Sequence, residues 1–370
     1  MAKKSKILFI MHMPPPVHGA SMVGESIRQS SLINDSFDAQ YVNLSTANSI
    51  EDIGKFRVGK IWDYLCLLFR TWIRVMTFRP QLVYITPNAK GGPFYKDFVM
   101  VQMLKGMGCR VVAQYHNKGV STRQDRIIDN WLYQRFFKNI WVILLSEVLF
   151  QDMKKYVSRD HVLICPNGIR DAYNDVVPKR NNNIPQLLFL SNLIKEKGVF
   201  DLLDACQILQ DKGVDFGCTF VGAESDEISK QVFEQEVRNR GLEASVQYVG
   251  KKYGSEKEAC YVSSDIFVFP TYYHNECFPL VLLEAMSYGL PCVSTDEGAV
   301  CEIIDDTVTG YVVEKNDTRQ LADKLELLVK DAQLRRNMGC AGRDKFKKCY
   351  TQQEFGKRLY RILHSIVSSC

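Results

Sequence analysis

Apolar residues along this chain cluster in two ways. Some form short solid runs, and others recur every three or four positions through longer polar stretches. In the first half the solid runs are KILFIM (6–11), LVYIT (82–86), RVVAQY (110–115) and WVILL (141–145). Such runs predict strands covered on both faces. Between them WDYLCLLFRTWIRVM (62–76) places Trp62, Leu65, Cys66, Phe69, Ile73 and Met76 at helical spacing. A stripe of this kind usually turns to a core, here the sheet beneath the helix. SEVLFQDMKKY opens at Ser146, a residue type that favours the N-cap of a helix. In the second half the strand-like runs are LLFLS (187–191), FGCTFVG (216–222), SVQYVG (245–250), DIFVFP (265–270), PCVST (291–295) and GYVVE (310–314). Helical patterns such as VFDLLDACQILQDKG and DEISKQVFEQEVRNRG alternate with them and stop at glycine.

Strict alternation of strand and helix implies parallel sheets with helices on both faces. The polar, asparagine-rich stretch DAYNDVVPKRNNNIPQ (171–186) interrupts the alternation and reads as a linker. The pattern therefore predicts an α/β protein of two doubly wound, Rossmann-like domains, 1–170 and 187–351. The closing helix, QQEFGKRLYRILHSIV, fits either domain by its pattern. No repeat of 20–50 residues is present.

Composition narrows the class. A length of 370 residues suits two ordinary domains, and 46% hydrophobic with 24% charged residues is ordinary for a globular protein. The net charge of +5 suits anionic small molecules or acidic surfaces and is too small to argue for nucleic acid. Twelve cysteines are scattered without any C-x-x-C, which points to a reducing cytoplasm rather than to disulfides or zinc. MAKKSKILFIMHMPPP lacks a small-residue cleavage site and reads as a first strand, not a signal peptide. The most apolar stretch, IWVILLSEVLF, is too short to span a membrane and carries a glutamate.

In doubly wound sheets ligands bind where strands end and helices begin. After the first strand, HMPPPVHGAS offers Gly19, where backbone can approach an anion at a helix start, although this is not G-x-G-x-x-G. After another, YHNKG brings up His116. LSNLIKEKG (190–198) puts Lys197 and Gly198 at a helix start, a place for phosphate. HNECFPLVLLEAMSYGLP (274–291) holds two acids, Glu276 in a loop and Glu284 among the apolar residues of a short helix that Pro279 opens. A buried carboxylate needs partners. One solution is a nucleotide sugar: phosphates on the N–H groups near Phe278 and Leu280, a ribose diol on Glu284, a sugar ring on Glu276. The other is a structural pair of acids bound to backbone or arginine.

These residues resemble the family-4 retaining glycosyltransferases of the GT-B fold. E276-CFPLVLL-E284 matches the family's pair of glutamates with seven residues between them. It is followed in the usual order by AMSYGLPCVSTDEGAVCEII and TGYVVE, and preceded by LFLSNLIKEKGVFDLLDA, TFVG and QYVG. The similarity is strong over about 185–350 and weaker in HGAS, YHNKG, SEVLFQDM and CPNGI of the first half. It implies a GT-B protein in which Glu276 contacts the transferred sugar, Glu284 the ribose and Lys197 the diphosphate. His116 would lie near sugar and acceptor, Gly19 would line the donor phosphates, and backbone N–H groups around Phe278 and Leu280 would complete the cradle. The last helix, 352–370, would cross back onto the first domain. One departure stands out. Where the family carries an arginine shortly before the lysine, this chain has Asn192, and Lys195, Lys251 and Lys252 are the candidates to replace its charge.

The resemblance implies a retaining hexosyltransferase. It would use a nucleoside-diphosphate sugar, by family usage a UDP-sugar, and a carbohydrate or glycolipid acceptor, in bacterial surface polysaccharide or glycolipid synthesis. No metal or other cofactor would be required. The competing reading is a non-catalytic nucleotide-sugar-binding or scaffolding protein of the same fold, for which Asn192 is the best support. A sugar-nucleotide 2-epimerase would need different acids and bases in the first domain. Finally, Lys55, Arg57, Lys60, Arg70, Arg74 and Arg79 interleave with Trp62, Tyr64, Phe69, Trp72 and Phe78. Such a basic aromatic helix suits the inner face of an anionic membrane as well as a sheet.

Overall fold

Hydrogen bonding between the solid apolar runs produces two wholly parallel sheets. A computed structural model describes residues 4–15, 19–45, 58–171 and 182–369. The chain divides into one unit of Met1–Gly168 with Gln352–Cys370 and another of Ile169–Thr351. Residues 172–181 of the linker expectation, and Lys55 and Arg57, lie outside the described residues.

The first unit runs β1 (Lys6–Met11), α1 (Gly19–Arg28), α2 (Ser31–Ser36), β2 (Asp38–Asn43), α3 (Val58–Phe78), β3 (Leu82–Ile85), α4 (Gly91–Gly106), β4 (Val111–Gln114), α5 (Ile127–Phe137), β5 (Trp141–Leu144) and β6 (Val162–Ile164). Its sheet has the order β2-β1-β3-β4-β5-β6. The second unit runs β7 (Gln186–Leu190), α6 (Val199–Asp211), β8 (Gly217–Val221), α7 (Lys230–Asn239), β9 (Val246–Tyr248), α8 (Gly254–Ser263), β10 (Ile266–Phe269), α9 (Leu280–Ser287), β11 (Cys292–Thr295), α10 (Val300–Ile303), β12 (Gly310–Val313), α11 (Thr318–Lys330) and α12 (Ala332–Cys349). Its sheet has the order β12-β11-β10-β7-β8-β9.

Central strands are apolar because both faces are covered; β3, β4 and β10 are buried at every position. The two strands that the sequence pattern missed, β2 and β6, are the edges of the first sheet. DAQYVN is exposed or half-exposed throughout, and VLI is three residues long. The closing helix, α13 (Gln352–Ser368), packs in the first unit. There Phe355, Leu359, Leu363 and Ile366 share a core with Ile7 and Phe9 of β1, Val23 and Ile27 of α1, and Ile33 of α2.

Two local expectations are corrected. The segment after Ser146 is a 3-10 helix over Glu147–Asp152, and the buried Ser146 side chain makes no capping hydrogen bond. On α3 the helix is present but its expected core stripe faces outward. Leu67, Thr71, Val75 and Phe78 are buried, whereas Trp62, Leu65, Phe69, Ile73 and Met76 are exposed. Apolar residues stand on both sides of this helix, so periodicity alone could not choose the packed face.

Each sheet reverses its order at one place. β1 lies between β2 and β3, and β7 lies between β8 and β10. Chains leaving such a switch point diverge and open a crevice beyond the strands' C-terminal ends.

Candidate active site

In the second unit the crevice is the one beyond β7 and β10. Lys197 follows β7 in a 3-10 turn over Lys195–Lys197, and Glu276 follows β10. The turn ends at Gly198, whose φ of 84° lies in the left-handed region. A Cβ there would stand 2.3 Å from the Pro270 carbonyl oxygen. Only glycine lets the β7 loop pack so closely on the end of β10. Further bonds tie the loops together. Tyr272 N–H donates to the Glu196 carbonyl at 2.8 Å, and Ala299 N–H donates to the Cys277 carbonyl at 2.8 Å.

This bracing brings Lys197 and Glu276, 79 positions apart, into direct contact. The ammonium donates to Glu276 Oε2, with both side chains about one-seventh exposed. It also sits over the rings of Tyr273, at 4.5 Å, and Phe269, at 5.3 Å. The aromatic faces and the carboxylate both attract the ammonium electrostatically.

Glu284 lies in the second turn of α9. Pro279 is the N-cap of this helix rather than a residue of its first turn. Leu282, Leu283, Ala285 and Met286 are buried around it, which accounts for the apolar surroundings in the sequence. The carboxylate is held by two residues of α8: Lys257 Nζ donates to Oε1 at 2.7 Å, and the Tyr261 hydroxyl donates to Oε2 at 2.7 Å. Tyr261 is fully buried and stacks on Tyr288 at 5.2 Å. Burial and the neighbouring carboxylate raise its pKa well above the ordinary tyrosine value, so it remains a donor. The sequence reading missed Lys257 and Tyr261. Their one-turn spacing on α8 was visible, but nothing local linked that helix to Glu284.

Phe278 is buried and its ring meets Tyr350 edge-on at 6.0 Å. Leu280 is the half-buried first residue of α9. The first turn of any helix presents N–H groups with no intrahelical acceptor. Asn192 is exposed, and its Oδ1 accepts from Ala223 N–H at 3.4 Å. Of the lysines considered as replacements for the missing arginine, Lys252 is bound to Glu256 at 2.9 Å. Lys251 lies over the Tyr253 ring at 5.0 Å, and Lys195 is exposed.

Gly19 and His116 belong to the first unit. Gly19 is the first residue of α1, and further along that helix Gly24 packs so close to the end of β1 that a Cβ there would fall 2.0 Å from the His12 carbonyl oxygen. His116 is half-buried in the loop after β4. That loop is fixed at both ends. Asn117 Oδ1 accepts from Ala89 N–H at 2.7 Å, while its Nδ2 donates to Asn88 Oδ1 at 3.2 Å. The Asp152 carboxylate accepts from the N–H groups of Gly119, Val120 and Ser121 at 2.8–3.1 Å and from the Ser121 hydroxyl at 2.6 Å. Asn88 is held in turn by Asp97, whose Oδ2 accepts from its N–H at 2.7 Å and its Nδ2 at 2.9 Å. Burial pushes the Asp97 carboxyl up to about 6 despite these bonds.

Among the described residues no group of three or more His, Cys, Asp or Glu side chains is placed to hold a metal ion. The chemistry on hand is cationic and acidic: one ammonium beside a loop carboxylate, and a carboxylate in the second turn of α9 held by a second ammonium and a tyrosine hydroxyl.

Residues 174–345 match the model of the family described as glycosyl transferases group 1. The chain is 27% identical over 201 residues to the capsular polysaccharide biosynthesis glycosyltransferase CapM of Staphylococcus aureus, covering 54% of this chain and 50% of that protein. It is 28% identical over 248 residues to the N-acetyl-alpha-D-glucosaminyl L-malate synthase of Bacillus anthracis, covering 60% of each. The matched segments thus span between half and two thirds of these relatives' lengths. Among solved structures it is similar to Anabaena HepE in complex with UDP-glucose, with a TM-score of 0.75, 15% identity, and 97% and 99% of the two chains covered. It is also similar to sucrose-phosphate synthase of Thermosynechococcus elongatus, with a TM-score of 0.75, 16% identity, and 99% and 100% covered. The fold is that of the GT-B glycosyltransferases.

Proposed function

Because residues 174–345 match the model of the glycosyl transferases group 1 family, we propose that this protein transfers a hexose from a UDP-sugar to a hydroxyl acceptor in surface polysaccharide or glycolipid synthesis, with retention of anomeric configuration. The observation that carries the reading is the meeting of Lys197 and Glu276 at the switch point of the second sheet. A diphosphate needs the cation, a sugar needs the acid, and one crevice holds both.

The donor's diphosphate lies across Lys197 and the first turn of α9, with its ribose on Glu284. As the bond from the anomeric carbon to phosphate breaks, negative charge grows on the diphosphate, where the ammonium and helix N–H groups stabilise it. Glu276 stabilises the positive charge growing on the ring. The acceptor oxygen attacks from the face the diphosphate is leaving, and the departing phosphate oxygen takes its proton. No protein base and no metal enters this scheme. Anabaena HepE, solved with UDP-glucose, supports the choice of nucleotide. The reaction belongs in the cytoplasm, where such donors are made and thiols stay reduced.

The pairing of each acid within the chain favours a second reading, a nucleotide-sugar-binding protein without turnover. Purified protein incubated with UDP-sugars and EDTA separates the two. Donor consumption with release of UDP, and a product of retained configuration by NMR, is expected. Tight UDP-sugar binding without consumption, alone or with any acceptor tried, would establish the second reading.

A further inference from the structure

We propose that the outer surface of α3, α4 and α5 docks on an anionic lipid bilayer. α3 packs inward through Leu67, Thr71, Val75 and Phe78. On its other side Trp62, Leu65, Phe69, Trp72 and Met76 recur at intervals of three and four residues, all exposed, Trp62 at 69% and Phe69 at 60%. At 1.5 Å per residue this stripe runs roughly 20 Å. Single exposed apolar residues are ordinary, but a continuous file of large ones is not. It has neighbours. Val99 of α4 is exposed, as are Ile127, Ile128 and Trp131 of α5, with Ile127 at 88%. α3 crosses from β2 past β1 to β3, α4 joins β3 to β4 and α5 joins β4 to β5, all in the same direction along the sheet, and right-handed crossovers put all three on one face. α3 packs on α4 and α4 on α5. All three start near the strands' C-terminal edge, where Trp62, Ile127 and Ile128 stand.

Charge selects the occupant. On the described side chains of these helices the exposed bases are Arg70, Arg74, Lys96 and Arg135, against one exposed acid, Asp63. Asp97 and Asp129 are buried. A second copy of this surface would meet the same bases. The positions flanking the stripe, Ile61, Cys66, Leu68 and Ile73, carry no charge to set register with another helix. Tryptophan rings beside arginines suit the headgroup level of a bilayer, and anionic lipid matches the basic excess. No described helix is long and apolar enough to cross a membrane, so the contact lies in the plane of the interface. The inference stands on this surface alone and does not depend on the transfer reaction.

Flotation of the full chain with phosphatidylcholine vesicles, with and without phosphatidylglycerol, tests it. The protein should rise with the anionic vesicles at low salt and stay down with neutral ones. Brominated lipid should quench its tryptophan fluorescence. The double variant Leu65→Asp, Phe69→Asp should bind roughly tenfold less or weaker still, the scale for removing large apolar side chains from an interface. Its melting temperature should hold, since both positions face solvent. Absence of flotation and of quenching would overturn the proposal, as would flotation indifferent to the double variant. A lipid-free dimer that the same variant converts to monomer would give the surface to a second copy instead.

Discussion

Replacing Glu276 by glutamine should make the protein hold bare UDP more tightly while slowing transfer. In the unliganded chain the Lys197 ammonium already has a carboxylate partner. A diphosphate arriving at Lys197 must compete with it. A charged hydrogen bond contributes about 1.5–3 kcal/mol. This pair is not fully dry, with Lys197 14% and Glu276 13% exposed, and solvent screening reduces the competition to about 1–2 kcal/mol. The glutamine keeps the shape and loses the charge, and Lys197 remains over Tyr273 and Phe269. Affinity for UDP should then rise about 5–30-fold. Turnover depends on the missing charge only as the sugar becomes cationic, so kcat should fall about 10²–10³-fold, the scale for one preorganised electrostatic partner. Calorimetric titration of UDP into both proteins, with transfer rates at saturating UDP-sugar, gives the two numbers. If Glu276→Gln binds UDP tenfold more weakly, Glu276 holds the nucleotide and the assignment of the two glutamates is reversed. If affinity is unchanged, Lys197 is not the competing diphosphate ligand.

Glu284→Gln should weaken UDP and UDP-sugar alike, by about 1.5–3 kcal/mol for a charged acceptor lost. Tyr261→Phe, which removes only the hydroxyl on Glu284 Oε2, should cost about 1 kcal/mol; equal affinities in the same titrations would remove Glu284 from the ribose site. Gly198→Ala forces a Cβ to 2.3 Å from the Pro270 oxygen at a φ of 84°, and should cost about 1–3 kcal/mol in urea denaturation and weaken UDP binding with it. Gly213→Ala, at a φ of 67° with open space around it, should lose stability alone. Asp97 tests linkage: its carboxyl is pushed from 3.8 up to about 6 by burial. Stability from this group is therefore full below about 4, falls as pH rises to about 6, and is level above. Asp97→Asn should remove up to about 3 kcal/mol of that pH dependence; parallel wild-type and variant profiles in urea between these pH values would refute it.

Strand positions were legible where a strand is covered on both faces, because continuous burial writes a continuous apolar run. β2 and β6 were not, since edge strands need no such run. The amphipathic spacing of α3 declared a helix but not its orientation. Its inward side uses a threonine and three apolar residues, while the larger aromatic side faces out. At the candidate site the Glu276–Glu284 spacing and the Lys197–Gly198 turn were visible because each is local. The partners of both acids were not.

What the sequence by itself determined is the alternation of strand and helix, hence two parallel sheets, and the residues placed at each strand's end. Those depend on neighbours a few positions apart. Only the tertiary structure decided that Lys197 meets Glu276 across 79 positions and that Lys257 and Tyr261 close on Glu284. Strand order set these contacts. β7 and β10 are adjacent in space though two strands lie between them in sequence, and the loops that follow them are drawn together by hydrogen bonding along the whole sheet. No local pattern carries that information, because the register of a sheet is a property of all its strands at once.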